Sequence, residues 1–163
     1  MAELLNTKSL YYRDVNLIAK PGKVYSRKEI PIEGHRIVVS AMSSIIGVEF
    51  IKAVGALPEE LQPTIQVPRT KNYEELLRTA KEYNVKNVLV GVGINTPRIE
   101  QLAKELGFTN VLLDVANGYL PNVKEAVTRL SKNGFKVTVG SVHTAQGYQD
   151  LVEAGASVVR VVS

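Results

Sequence analysis

Short β-branched runs recur along the chain, with helical stripes between them. The runs are Ile37–Val39, Thr64–Val67, Val88–Val92, Val111–Val115, Lys136–Val139 and Val158–Val162. They lack clean alternation, which suits strands buried on both faces, as in a parallel sheet. Between them, Ile99, Leu102, Ala103 and Leu106 fall at i, i+3, i+4 and i+7. Val123, Ala126, Val127 and Leu130 repeat that spacing, and Leu76, Leu77, Ala80 and Tyr83 form a similar stripe. One face of a helix is therefore apolar in each case. Thr96-Pro97 reads as an N-cap followed by N1. Asn72 with Glu75 resembles a capping box. Gly107, Gly134 and Gly155 sit where a helix-terminating glycine belongs.

The order is β-α-β-α with about six parallel strands. The steps from Val88 to Val111, Val137 and Val158 are 23, 26 and 21 residues. Two architectures share this grammar, the open doubly wound sheet and the closed eight-stranded barrel. At roughly 24 residues per unit, eight units need well over ~200 residues. The expectation is an α/β fold, an incomplete (β/α)8 TIM-type barrel whose chain ends on or just after its sixth strand. Residues 1–163 are read as a single domain, with a lead-in over 1–35 and βα units over 36–163. The lead-in holds Pro21, Gly22, Pro31 and Gly34, which predicts extended segments and turns, with a short hairpin around Pro21-Gly22.

Composition narrows the function classes. Hydrophobic residues are 45% and charged residues 22%, so one ordinary core is expected. The net charge of +4 arises from 20 basic and 16 acidic residues spread along the chain. No basic stripe for nucleic acid is present. The absence of Cys excludes disulfides, thiolate metal sites and a thiol nucleophile within these residues. No metal is expected. No apolar run approaches the ~20 residues of a membrane span. Met1–Tyr12 has no continuous apolar stretch of the signal-peptide kind, so a cytoplasmic location is expected.

Chemistry is sought at the C-terminal ends of the strands, where both architectures bind ligands. After the first strand come Ser40, Ala41, Met42, Ser43 and Ser44. The hydroxyls suit a phosphate or ribose and Met42 a flat base; a plain polar loop is the alternative. The fourth strand ends in Asp114 and leads into Val115-Ala116-Asn117-Gly118-Tyr119. Asp114 could accept hydrogen bonds from ribose hydroxyls, or Asp114 or Asn117 could cap the next helix. The fifth strand ends in Gly140-Ser141-Val142-His143-Thr144. There Gly140 permits close backbone approach, and His143 is either an acid-base group or a loop residue beside a Thr144 N-cap. Arg160 lies inside a β-branched run, so it needs an anionic ligand or a neighbouring carboxylate. Gly91-Val92-Gly93 lacks the full dinucleotide fingerprint. His35 is given no role.

Together these segments resemble the inosine monophosphate dehydrogenase and guanosine monophosphate reductase family. Leu112–Tyr119 is similar to the family's fourth-strand motif, and Val139–Thr144 follows at a fitting distance. Ala154–Val161 is similar to the sixth strand, while Tyr12–Leu17, Ser26–Ile30 and Ser40–Met42 resemble the family's opening. Leu57–Asn84 matches poorly. The resemblance implies a barrel that binds a purine nucleotide beside NADP or NAD. It implies that Ser40 and Met42 contact the nucleotide, and that Asp114, Asn117, Gly140, Ser141 and Arg160 lie on the cofactor side. Only one helix separates the second and third strands, which fits the plainer reductase layout. Departures are Ser141 in place of the usual Asn, Ser43 in place of an acid, and Val162 in place of a Gly. The family's catalytic Cys, on the loop after the sixth strand, is not among these residues.

The expected function is the N-terminal part of a purine nucleotide oxidoreductase. It would catalyse reductive deamination of GMP to IMP, or oxidation of IMP, once a second segment supplies the Cys. Open barrel edges make a complementary chain or self-association the expected partner. The alternative is a non-catalytic truncated relative that binds a nucleotide or a partner subunit. A weaker third reading is an unrelated phosphate-binding α/β protein.

Overall fold

The structure is a computed structural model that describes residues 37–161, all within the compact unit Ile32–Ser163. The predicted hairpin at Pro21-Gly22, the segments Tyr12–Leu17 and Ser26–Ile30, His35 and Val162 lie outside the described residues.

Eleven regular elements alternate. They are β1 (Val38–Val39), α1 (Val48–Gly55), β2 (Thr64–Val67), α2 (Tyr73–Glu82), β3 (Val88–Val92), α3 (Pro97–Glu105), β4 (Asn110–Asp114), α4 (Pro121–Lys132), β5 (Lys136–Val142), α5 (Ala145–Glu153) and β6 (Val158–Val161). A short 3-10 turn, Glu59–Leu61, precedes β2. All neighbouring strands are parallel, in the order β1-β2-β3-β4-β5-β6. This order separates the two architectures that the spacing left open. A doubly wound sheet reverses at a switch point, whereas here each strand is laid on the same side of its predecessor. Right-handed crossovers then place every helix on one face, and the sheet curls around the other. The described residues thus form an incomplete α/β barrel, in which β1 and β6 each have one strand neighbour.

Strand register explains the unalternating runs. Ile65, Val67, Val90, Val92, Val111, Leu113, Val137 and Val139 share one core with helix residues such as Ile51, Leu77, Ala103, Val127 and Leu151. The intervening strand positions point into the lumen. Leu112 is fully buried there, in register with Gly91 and Thr138. Gln66 lies beside Leu89 on the same face.

Helix boundaries follow the sequence signals with two corrections. Gly107, Gly134 and Gly155 close their helices at φ of 80°, 87° and 101°, and Asn84 does the same after α2 at φ 55°. Asn72 is the N-cap of α2, but its side chain makes no capping bond. Its Oδ1 instead accepts from Thr70 Oγ1 at 2.7 Å. Thr96 precedes Pro97 as expected, yet its hydroxyl accepts from Gly93 N–H at 2.9 Å rather than capping α3. Both residues are spent on the preceding loop. Helix α1 was not visible as a stripe.

One ion pair ties the helix layer together. Glu100 on α3 is 8% exposed, and Arg129 on α4, 40% exposed, reaches it through two nitrogens. Arg129 also donates to the Ile94 carbonyl at 3.0 Å, fixing the β3–α3 loop. Hydrogen bonding to Glu100 raises the Arg129 pKa above its ordinary value. Arg129→Ala leaves a buried carboxylate without its partner, which costs about 2–3 kcal/mol with Arg129 only part-buried. The urea midpoint is expected to fall with no change in slope. An unchanged midpoint would show that water replaces the guanidinium freely.

Candidate functional site at the strand ends

The C-terminal ends of the strands and the loops that follow them gather most of the residues singled out from the sequence. Asp114 ends β4, Gly140 lies in β5 and Arg160 in β6, and these three are partners in one register row. Asp114 and Arg160 are therefore two strands apart, or about 10 Å along the sheet. The Arg160 guanidinium spans that gap and donates to Asp114 Oδ1 at 2.9 Å. It passes the one position in the row that has no side chain. A Cβ on Gly140 would lie 2.6 Å from Arg160 Cβ and 2.7 Å from its carbonyl oxygen. Gly140 thus permits close approach, as the sequence suggested, and what approaches it is Arg160. Of the two partners open to Arg160, the structure supplies the carboxylate. The pair stays wet, with Arg160 33% and Asp114 51% exposed. Arg160 engages Oδ1 of Asp114, whose carboxylate is otherwise half exposed.

The loop after β4 is stitched to the end of β5. Val115 N–H donates to Gly140 O at 2.8 Å, Ser141 N–H to Val115 O at 2.7 Å, and Gly118 N–H to Ser141 O at 2.8 Å. Gly118 has no room for a side chain, since a Cβ would sit 2.8 Å from Val142 Cγ1. Ser141 is placed inside β5, which runs to Val142 with a register shift, and not in a loop. Asn117 caps no helix. Its Oδ1 accepts from Tyr119 N–H at 2.9 Å and shapes the turn into α4, whose N-cap is Leu120. Asp114 caps nothing either. Thr144 does cap α5, accepting from Gly147 N–H at 3.0 Å, with His143 just before it.

Ser40 and Met42 lie beyond β1, and Met42 is 50% exposed. Ile94 and Tyr119, on the loops after β3 and β4, are further exposed apolar side chains at this end. The row across β4–β6 and the β1 loop are thus two separate groups at one end of the sheet. Sequence reasoning missed Arg69, which follows β2 and lies against Gly91 and Gly93. Its signal was those two glycines, read only as an incomplete fingerprint. The larger hollow of about 580 Å³ runs along α4, lined by Lys124, Glu125, Thr128, Arg129, Lys132 and Asn133. All six come from one helix and its end, so groups from different elements do not converge there. Among the described residues no cluster of three or more His, Asp or Glu could hold a metal ion, and no helix is long and apolar enough to cross a membrane.

A family model described as IMP dehydrogenase / GMP reductase domain matches residues 32–162, a span that includes every residue of this site. No curated protein sequence matches the chain.

Two substitutions separate the roles in the row. Asp114→Asn is expected to lower stability by less than ~1 kcal/mol, because the pair is solvent-exposed. Gly140→Ala is expected to cost about 2 kcal/mol or more, because backbone atoms of β6 must shift. Denaturant titration of both variants checks this, and equal losses would contradict it.

Proposed function

The chain belongs to the IMP dehydrogenase / GMP reductase family, and on that premise we propose that it forms part of a purine nucleotide oxidoreductase. The reaction is the nicotinamide-dependent reductive deamination of GMP to IMP, with the distinct oxidation of IMP as the alternative. The observation that carries this reading is the Asp114–Arg160 pair laid over Gly140 at the strand ends. A half-exposed carboxylate with one oxygen engaged suits a ribose hydroxyl.

The fit to a nicotinamide cofactor rests on this chain's own groups. Asp114 Oδ2 accepts a ribose hydroxyl, and Arg160 holds the carboxylate in place. Gly140 keeps the floor open, and the loop after β4, stitched to the end of β5, fixes its height. When bound, the cofactor supplies or accepts a hydride at the purine ring. Ser40 and Met42 take the nucleotide side. β2 and β3 are joined through α2 alone, which supports the reductase layout and, with it, NADPH over NADH. Reactions of this type need a thiolate bonded to the purine ring. These residues hold no Cys, so the nucleophile belongs to a further segment or a second chain.

Exposed valines support a complementary partner or self-association. Val158 and Val161 on β6 are 53% and 63% exposed, and Val38 on β1 is 51% exposed. Strands with free edges of this kind favour pairing. A cytoplasmic location belongs to the same proposal. The departures at Ser43 and Ser141 also support a second reading, a non-catalytic relative that binds nucleotide alone.

The intact chain is expected to bind GMP and NADPH and to turn over neither. Added to a Cys-bearing complementary segment, it is expected to support GMP-dependent loss of reduced-cofactor absorbance. Asp114→Ala should weaken NADPH about tenfold, or roughly 1.4 kcal/mol. Binding without turnover in the complemented mixture would favour the second reading. Failure of the intact chain to bind either nucleotide would defeat both.

A further inference from the structure

The lumen face contains polar groups that the Asp114–Arg160 row leaves unused. Gln66 on β2 is 8% exposed and Thr138 on β5 is 9% exposed. The other buried polar side chains, Gln62, Thr79 and Glu100, all have hydrogen-bond partners. Among the described residues no hydrogen bond is made by the carboxamide of Gln66, and its polar atoms are not sealed from the lumen. A buried polar side chain without a partner is destabilising unless something else occupies its donors and acceptors.

Arg69 lies three residues further along. It is exposed and, among the described residues, has no ion pair. Gly93, just past β3, makes room for its guanidinium, while Gly91 makes room for the Val67 carbonyl, 2.5 Å from a Cβ there, and touches the Arg69 chain at ordinary contact distance. A Cβ on Gly91 would lie 3.4 Å from Arg69 Cγ, and one on Gly93 would lie 3.0 Å from an Arg69 guanidinium nitrogen. Gly91 is two residues beyond Leu89, the register partner of Gln66. The same β1–β2 register, carried one residue past Val39↔Ile65, sets Ser40 beside Gln66. Gln66, Gly91, Arg69 and Gly93 thus form one strip between the Ser40–Met42 loop and the Asp114–Arg160 row.

We propose that Gln66 and Arg69 are ligand-contacting residues that bind a phosphate or diphosphate group at the strand mouth. The guanidinium pairs with the anionic oxygens, and the carboxamide donates to an oxygen held deeper in the lumen. This deepens the nucleotide reading above and rests on it. The phosphate has two possible sources, the purine nucleotide or the diphosphate of the cofactor.

The test is calorimetric titration of the full chain with inorganic pyrophosphate, GMP, guanosine, NADPH and reduced nicotinamide riboside. Arg69→Gln is expected to weaken pyrophosphate at least tenfold and leave both phosphate-free ligands unchanged. Arg69→Lys should recover part of the loss. A parallel loss for GMP alone assigns the site to the nucleotide; a loss for NADPH alone assigns it to the cofactor. Gln66→Leu is expected to weaken the same ligand while thermal stability stays level or rises, which a structural glutamine would not show. Nucleotide binding that ignores both substitutions overturns this proposal and leaves the oxidoreductase reading standing. Arg69-dependent pyrophosphate binding with no affinity for GMP or NADPH does the reverse. A chain that binds none of the five ligands overturns both.

Discussion

Asp114 and Arg160 meet across a strand that offers no side chain between them. The site depends on that constraint. The two residues occupy one register row, two strands apart, and Gly140 fills the intervening position. Any larger residue there meets the backbone and Cβ of Arg160. The ion pair contributes little stability at this exposure. Its consequence is positional, since it fixes one oxygen of Asp114 while half of the side chain stays exposed. The loop after β4 is bonded backbone to backbone to the end of β5 around it, so the height of the carboxylate is set by the sheet.

The sheet itself divides the labour between its two faces. Helix-facing strand positions are aliphatic and belong to a single core with the five helices. Lumen-facing positions mix Leu112 with Gln66, Gly91, Thr138 and Gly140. The first face holds the fold together and tolerates no polarity. The second is polar and small near the mouth, where ligands of such folds sit. The glycines at 91, 93 and 140 belong to this second face and its rim, and each gives space to an arginine chain or a neighbouring backbone. The Glu100–Arg129 clamp, by contrast, serves only the helix layer.

Much of this was legible from the chain. The βα rhythm, all six strand starts to within a residue, three helices and the helix-closing glycines follow from periodicity and turn chemistry. The fifth strand proved longer than its β-branched core, because Gly140 and Ser141 continue the ladder through an irregularity that no propensity signals. Strand order could not be read, since consecutive parallel units look alike in sequence whether or not the sheet reverses. The partner of Arg160 lies 46 positions away, and only the register reveals it. Arg69 was invisible for the same reason: its surroundings are the absences at Gly91 and Gly93. Asn72, Thr96 and Asn117 were recognised as turn or cap residues, but which backbone or side-chain group each one serves is set by loop geometry.

The Asp114–Gly140–Arg160 row lies at the C-terminal ends of the strands, while the hollow of about 580 Å³ lies elsewhere, along α4. The central claim is therefore about place: a nicotinamide or purine nucleotide enters at the C-terminal ends of the strands. Amide resonance mapping of the intact chain during titration with NADPH tests this most directly. The account predicts shifts concentrated at Asp114–Gly118, Gly140–His143 and Arg160, with α4 beyond its first turn silent. Shifts confined to Lys124–Asn133, or none at saturating ligand, would contradict it.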